Sequence, residues 1–314
     1  MTIERRPLSP EQAGEAIAFA LEHPASLHGP ERLHWLCTQV TSGPDALFDL
    51  WENGQRVAFS MLVDTVENEA RAAIFEPLGF RAERVHAEHT HAGHNHAGRI
   101  HAGRDAAALF GASLAAAEAQ ARARGYLRVE VSTVEWSPVP PALLAERGYR
   151  EAYREYTMRR PASPVPDAPL PEGVSLRVAR DEDFFAYRAL LTTAFADLPG
   201  FSSAPEDIAR QRFLQAPIRA LLAFYGEVLV GGVGMSPPAP TDDEGEISVI
   251  AVDGAWRKRG LGAALLAAGL VRLAEHQAPR ASLSVVAQNQ RALSLYLRFG
   301  FSIASESVVH QLDL

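Results

Sequence analysis

Cysteine is almost absent: Cys37 stands alone among 314 residues, which excludes an internal disulfide framework and fits a reducing compartment. Long apolar runs are missing too. No stretch approaches the ~20 apolar residues that cross a bilayer, and the first residues, Met1 to Glu11, lack the apolar core of a leader peptide. Positive charge is outnumbered, with 30 Lys and Arg against 38 Asp and Glu, a net charge of −8 and a pI near 5.8. That balance argues against nucleic acid as a partner. Together these absences predict a cytoplasmic protein with neither membrane nor nucleic acid among its partners. What is present is 47% apolar residues, enough for substantial cores, and a length that predicts about two domains.

Hydrophobic periodicity divides the chain into two similar runs. In the first, a strand at 3–6 precedes a helix reaching Glu22, opened by Ser9 as N-cap, Pro10 at the first helical position and Gln12 at the third. A short helix is read at 33–36. Strands at 46–51, 57–66 and 70–75 form an antiparallel meander with Asn53-Gly54 as its first hairpin turn. A helix at 106–124, a strand at 127–132, a short helix at 142–146 and a strand at 153–158 complete this run. Residues 161–173 hold Pro161, Pro164, Pro166, Pro169 and Pro171, a density that marks an extended linker. Beyond it the order repeats: strand 175–178, helix 181–195, loop 197–204, helix 205–214, and strands 220–225 and 228–235. The predicted organisation is an internal duplication, with domains at 1–160 and 174–314.

The most informative stretch is 246–263, an apolar strand at 247–252 followed by a turn and a helix that carries Leu266, Leu270 and Leu273. Arg257, Lys258, Arg259, Gly260 and Gly262 lie between them. A helix start presents free N–H groups and the positive end of its dipole, and glycines there let a phosphate approach the backbone closely. The pattern predicts a diphosphate site. It is not a Walker A loop, since no Gly-Lys-Ser/Thr follows the glycines. Nor is it a dinucleotide fingerprint, because Leu265 stands where the third glycine belongs and no acidic ribose ligand follows at the expected distance.

Arg257-x-x-Gly260-x-Gly262 resembles the acetyl-CoA pyrophosphate loop of the GNAT superfamily of N-acetyltransferases. Downstream, Asn289, Ala292, Leu295-Tyr296 and Gly300-Phe301 resemble that family's second signature. The resemblance implies an α+β / α/β fold of two GNAT domains in tandem, each a mixed, mostly antiparallel sheet flanked by helices. This layout is similar to that of the mycothiol synthase family. It further implies direct transfer of acetyl from the cosubstrate acetyl-CoA to a small-molecule amine, in the second half, with no acyl-enzyme and no metal. The sequence agrees in placing its one cysteine in the other half and no serine in a nucleophile elbow.

Carried over residue by residue, the resemblance lays the pantetheine along Ile250-Ala251-Val252. The N–H of Ile250 polarises the thioester carbonyl and that of Val252 holds the arm. Arg257 and Arg259, with the Lys258 and Leu261 of the same loop and the amides of Gly260, Gly262 and Ala263, bind the pyrophosphate. Tyr296 protonates the departing thiolate, and Asn289 holds the cofactor or the loop. The sequence departs from the family in having Asp253-Gly254-Ala255 where a proline-containing turn is common. An ammonium acceptor must lose a proton before it attacks, so a carboxylate is expected nearby. Glu246, on the cofactor strand and the same face as Ser248, is the first candidate and Glu244 the second. The loop that begins at Asp197 joins two helices and is expected to set acceptor specificity. In the first half Leu144 aligns with Tyr296, and Trp136-Ser137-Pro138 replaces the surroundings of Asn289, so that half is expected to be degenerate.

One stretch is not absorbed by this reading. Residues 80–105 carry His86, His89, His91, His94, His96 and His101. In an extended segment the pairs 89/91 and 94/96 each put two rings on one face, suited to zinc or nickel, while the Ala, Gly and Asn between them and the lack of a patterned apolar face are those of a solvated loop whose metal affinity is incidental. The rival reading is therefore a non-enzymatic acyl-CoA-binding or metal-responsive module. Intact Tyr296 and Asn289 favour the enzyme, because a module that only binds acyl-CoA has no use for a thiolate acid. Monomer and homodimer both remain open.

Overall fold

A computed structural model of the chain describes residues 4–7, 13–22, 47–52, 55–67, 70–80, 104–134, 141–201, 206–238 and 243–314. The helix read at 33–36 and all six histidines of the 80–105 stretch lie outside the described residues. Among those described, no helix is long and apolar enough to cross a membrane.

The chain forms two compact units, Met1–Ala152 with Ser307–Leu314, and Tyr153–Glu306. The first contains β1 (Glu4–Pro7), α1 (Ala13–Glu22), β2 (Leu47–Glu52), β3 (Gln55–Glu67), β4 (Ala70–Phe80), α2 (Arg104–Ala123), β5 (Arg128–Val134) and α3 (Pro141–Glu146). Its strands run in the order β1-β2-β3-β4-β5, and every pair is antiparallel except β4 with β5. The far side of β5 is taken by 307–313, the end of the last strand of the chain (Ser302–Asp313). Phe110 and Leu114 of α2, Val129 and Val131 of β5 and Leu144 of α3 are fully buried at its centre.

The second unit begins within β6 (Arg150–Pro161) and continues with β7 (Val174–Val178), α4 (Phe184–Phe195), α5 (Glu206–Gln215), β8 (Leu221–Tyr225), β9 (Val228–Ser236), β10 (Glu244–Val252), α6 (Leu261–Glu275), β11 (Arg280–Val286) and α7 (Gln290–Arg298). Its order is β7-β8-β9-β10-β11-β6, again antiparallel except for one central pair, β10 with β11. The two orders correspond strand for strand, as a duplication requires. One face of the second sheet packs against α6, through Leu265, Leu266, Leu270 and Leu273, and the other against α4, through Tyr187 and Leu190.

Two expectations change. The division falls at Ala152/Tyr153 instead of after residue 160, and the last eight residues go with the first unit. The reason is strand pairing: β6 is laddered to β11 from Glu155 to Pro161, and 307–313 to β5. The proline-rich segment is also more than a linker. Ala162 is buried with its N–H on the Pro279 carbonyl at 2.9 Å, and Val165, Ala168 and Leu170 pack against the core. Apolar residues interleaved with the prolines make it a strap beside α6, with a pocket of about 400 Å³ between them. Buried Arg160 fixes the strap, its guanidinium donating to the carbonyls of Pro161, Pro164 and Phe299.

Candidate active site

The site is built where β10 parts from β11. Their parallel pairing covers only Glu244↔Arg280, Gly245↔Ala281 and Glu246↔Ser282. Beyond Glu246, that edge of β10 has no ladder partner among the described residues, so alternate backbone groups of 247–252 open into the gap between the strands. On its other side β10 stays laddered to β9, with a bulge between Ile247 and Val249. The bulge re-phases the strand. Ile247 packs toward α6, yet after the bulge Ile250 and Val252 pack toward that same core while Val249 and Ala251 join Tyr187 on the α4 face.

Glu246 is exposed, and lies between Gly245 and Ile247, which contact Leu273 and Gly269 of α6. Alternation therefore turns it to the α4 face. Ser248 joins it there: its Oγ would lie 3.0 Å from a Cβ on Gly234, and the Tyr187 hydroxyl 3.4 Å from the same point. Glu244 is committed differently. Its side chain is 6% exposed and paired with Arg159 at 2.8 Å, which makes it a structural anion.

At the end of β10 the chain turns through Asp253, whose carboxylate accepts from the Ala255 N–H at 2.9 Å and whose own N–H donates to the Val230 carbonyl. This Asx-type turn takes the place of the proline turn expected from the resemblance. Lys258, the one lysine in the chain, sits at φ 61°, and Gly260 at φ 87°. Gly260 is the N-cap of α6 without a side chain to cap it, and the first helical bond runs from Ala264 N–H to its carbonyl at 3.0 Å. The amides of Leu261, Gly262 and Ala263 have no side-chain cap among the described residues, at the positive end of a 15-residue helix. Arg259 is exposed and lies over the Trp256 ring at 5.0 Å. Arg257 is turned elsewhere, to the carbonyls of Val252 and Ala194.

Asn289 is the N-cap of α7, its Oδ1 accepting from Ala292 N–H at 3.2 Å. It orders the helix that carries Tyr296. That tyrosine is 8% exposed, its ring 6.0 Å from Phe301, and burial pushes its phenol up to about 12. Its neighbour Leu295 lies 3.7 Å from a Cβ built on Gly262 and Val252 lies 3.8 Å from it, so α7, the first turn of α6 and the end of β10 converge. The sequence reading missed Tyr187 and Tyr153. Tyr187 is buried, its hydroxyl has no hydrogen-bond partner among the described residues, and desolvation raises its pKa. Tyr153 lies against Gly200, at φ 73°, in the turn after α4, where no side chain would fit. Their helix and strand spacing signals only core residues.

Residues 184–301 match the Acetyltransferase (GNAT) family. The chain is 36% identical over 192 residues to a mycothiol acetyltransferase of Salinispora tropica, covering 56% of this chain and 60% of that one. It is 39% identical over 171 residues to one of Acidimicrobium ferrooxidans, covering 52% and 54%. The chain thus spans less than two thirds of these relatives. Among solved structures, a GCN5-related N-acetyltransferase from Sphaerobacter thermophilus superposes with a TM-score of 0.68 at 18% identity, over 99% of this chain and 95% of that one. A tandem GNAT protein from the clavulanic acid biosynthesis pathway superposes at 0.64 and 16% identity, over 99% and 98%. These two show the fold, with its tandem arrangement.

Proposed function

We propose, from a chain whose residues 184–301 match the GNAT family, that the protein transfers acetyl from acetyl-CoA directly to a primary amine of a small molecule, in its second unit. The observation that carries this reading is the meeting, at one end of β10, of an uncapped helix start and a strand edge with no ladder partner among the described residues, with the helix of Tyr296 packed beside them through Leu295.

Acetyl-CoA supplies an acyl group activated as a thioester. The amides of Leu261, Gly262 and Ala263, with Arg259 and Lys258, suit its pyrophosphate, because a cation-rich loop without a capping carboxylate leaves the helix dipole to the ligand. Gly260 contributes φ 87° and open space in front of it. The free edge of β10 at Ile250, Ala251 and Val252 offers backbone groups to the pantetheine arm and a donor to the thioester carbonyl, a type of contact worth a few kcal/mol at the transition state, roughly 3.

Glu246 receives the ammonium proton, directly or through water, so that a neutral amine attacks from the α4 face. Tyr296, kept protonated by burial, gives its proton to the leaving sulfur. In the first unit the position of Tyr296 is taken by fully buried Leu144, which has no proton to give. This supports a single working site. The similarity to mycothiol acetyltransferases makes an acceptor related to mycothiol the first to test. The test is thiol release from acetyl-CoA with that acceptor and with simple amines: turnover above the amine-free rate supports the reading, and none with any amine opposes it.

A further inference from the structure

Arg257 is half-buried and its guanidinium is taken up by backbone oxygens. Nε donates to the Val252 carbonyl at 3.4 Å, where β10 ends, and Nη2 to the Ala194 carbonyl at 3.0 Å, in the last turn of α4. Carbonyls of a last turn lack intrahelical partners and carry the negative end of the dipole, so a cation there is complementary in charge and in hydrogen bonding.

The turn that follows Ala194 is compact. Leu198 N–H donates to the Phe195 carbonyl at 2.9 Å, the rings of Phe195 and Phe201 stack at 5.3 Å, and Gly200 rests against Tyr153 of β6. Residues 196–201 are therefore held at the far end by an aromatic ring and at the near end by Arg257. The same arginine opens the loop that leads to the uncapped amides of α6.

We propose that Arg257 is a positioning residue, which fixes the acceptor-side turn 196–201 to the end of β10, and is not a ligand of the cofactor's pyrophosphate. The names of the two ligands rest on the acetyltransferase reading, but the bridge itself does not. Through it the cofactor loop and the acceptor turn share one side chain. Phosphate contact is left to the amides of Leu261, Gly262 and Ala263 and to Arg259.

The test combines amide hydrogen exchange over 196–201 in the unliganded full chain with calorimetric titration of acetyl-CoA, for the wild type, Arg257→Gln, Arg257→Lys and Arg259→Gln. Lysine keeps the charge that a phosphate ligand requires but cannot span two carbonyls. Exchange over 196–201 should rise about tenfold or more in both Arg257 variants, the change expected from losing one charge-assisted hydrogen bond. Acetyl-CoA affinity should stay within about twofold in both, and fall clearly in Arg259→Gln. Unchanged exchange in Arg257→Lys, or an affinity loss in Arg257→Gln equal to that in Arg259→Gln, would overturn the proposal. Absence of acetyl-CoA binding by the wild type would instead remove the acetyltransferase reading, while the exchange comparison still decides whether Arg257 holds the turn.

Discussion

The hydroxyl of Tyr187 and the Oγ of Ser248 converge on one notch, each within 3.4 Å of the point a Cβ of Gly234 would occupy. Ser248 is exposed on the bulge of β10, whereas the Tyr187 hydroxyl is buried without a hydrogen-bond partner among the described residues. A buried hydroxyl of this kind costs about 1–3 kcal/mol of desolvation. Tyr187→Phe should therefore raise stability by about 1 kcal/mol, read as a higher urea midpoint at unchanged slope. A lower midpoint would mean that the hydroxyl is satisfied by ordered water in solution.

Tyr296→Phe should lower kcat by on the order of 100-fold with acetyl-CoA affinity nearly unchanged, since it removes a proton donor and keeps the ring. Its pH dependence follows from burial. The phenol is raised from 10 to about 12, so the acid form persists through pH 10 and wild-type kcat should show no alkaline loss from this group until near pH 12. Folding stability should likewise be insensitive to this group below pH 10 and fall above it, where the unfolded chain ionises first. An alkaline limb near pH 10 that vanishes in Tyr296→Phe would contradict the burial argument.

Glu246→Gln should cost about 100-fold in kcat/KM for the amine at neutral pH, and recover as the pH approaches the amine's own pKa, where the free base needs no help. A loss independent of pH would reassign Glu246 to binding.

Asp183 anchors the start of α4. Its two oxygens accept from Arg177 at 2.6 and 2.7 Å and one also from the Arg180 N–H at 2.6 Å, while Arg177 stacks over Phe224 at 4.2 Å. The Arg177 hydrogen bonds, against some desolvation, hold its carboxyl below the ordinary 3.8. Because the folded pKa is depressed, this stability is complete above the ordinary value and is lost as the pH falls through the lowered one. Asp183→Asn should cost about 2 kcal/mol at neutral pH and almost nothing in strong acid, measured by urea denaturation at both.

Much of this site was legible in the sequence because its signals are local. A β-branched strand, two glycines and a leucine-periodic helix located β10 and the start of α6 to within a few residues, whereas Asn289, which reads as a strand-exit turn, is the cap of α7. What was hidden depends on partners distant in sequence. The bulge at Ser248 exists only relative to β9, and Tyr187, spaced three residues from Phe184 and Leu190, reads as one more core position. Arg257 reads as a phosphate ligand, and its bonds to the carbonyls of Ala194 and Val252 leave no trace in side-chain identity. The same holds for 307–313, whose ladder to β5 crosses more than 170 residues of chain. The apolar residues of the strap, Val165, Ala168 and Leu170, were outweighed by the prolines around them.

The most direct measurement is calorimetric titration of acetyl-CoA into the full chain and into Gly260→Glu. Glutamate at φ 87° strains the turn and puts a carboxylate before the amides of α6, where an anion belongs. One acetyl-CoA per chain, abolished by Gly260→Glu, is the result this account predicts. No binding by the wild type, or binding untouched by the substitution, would contradict it.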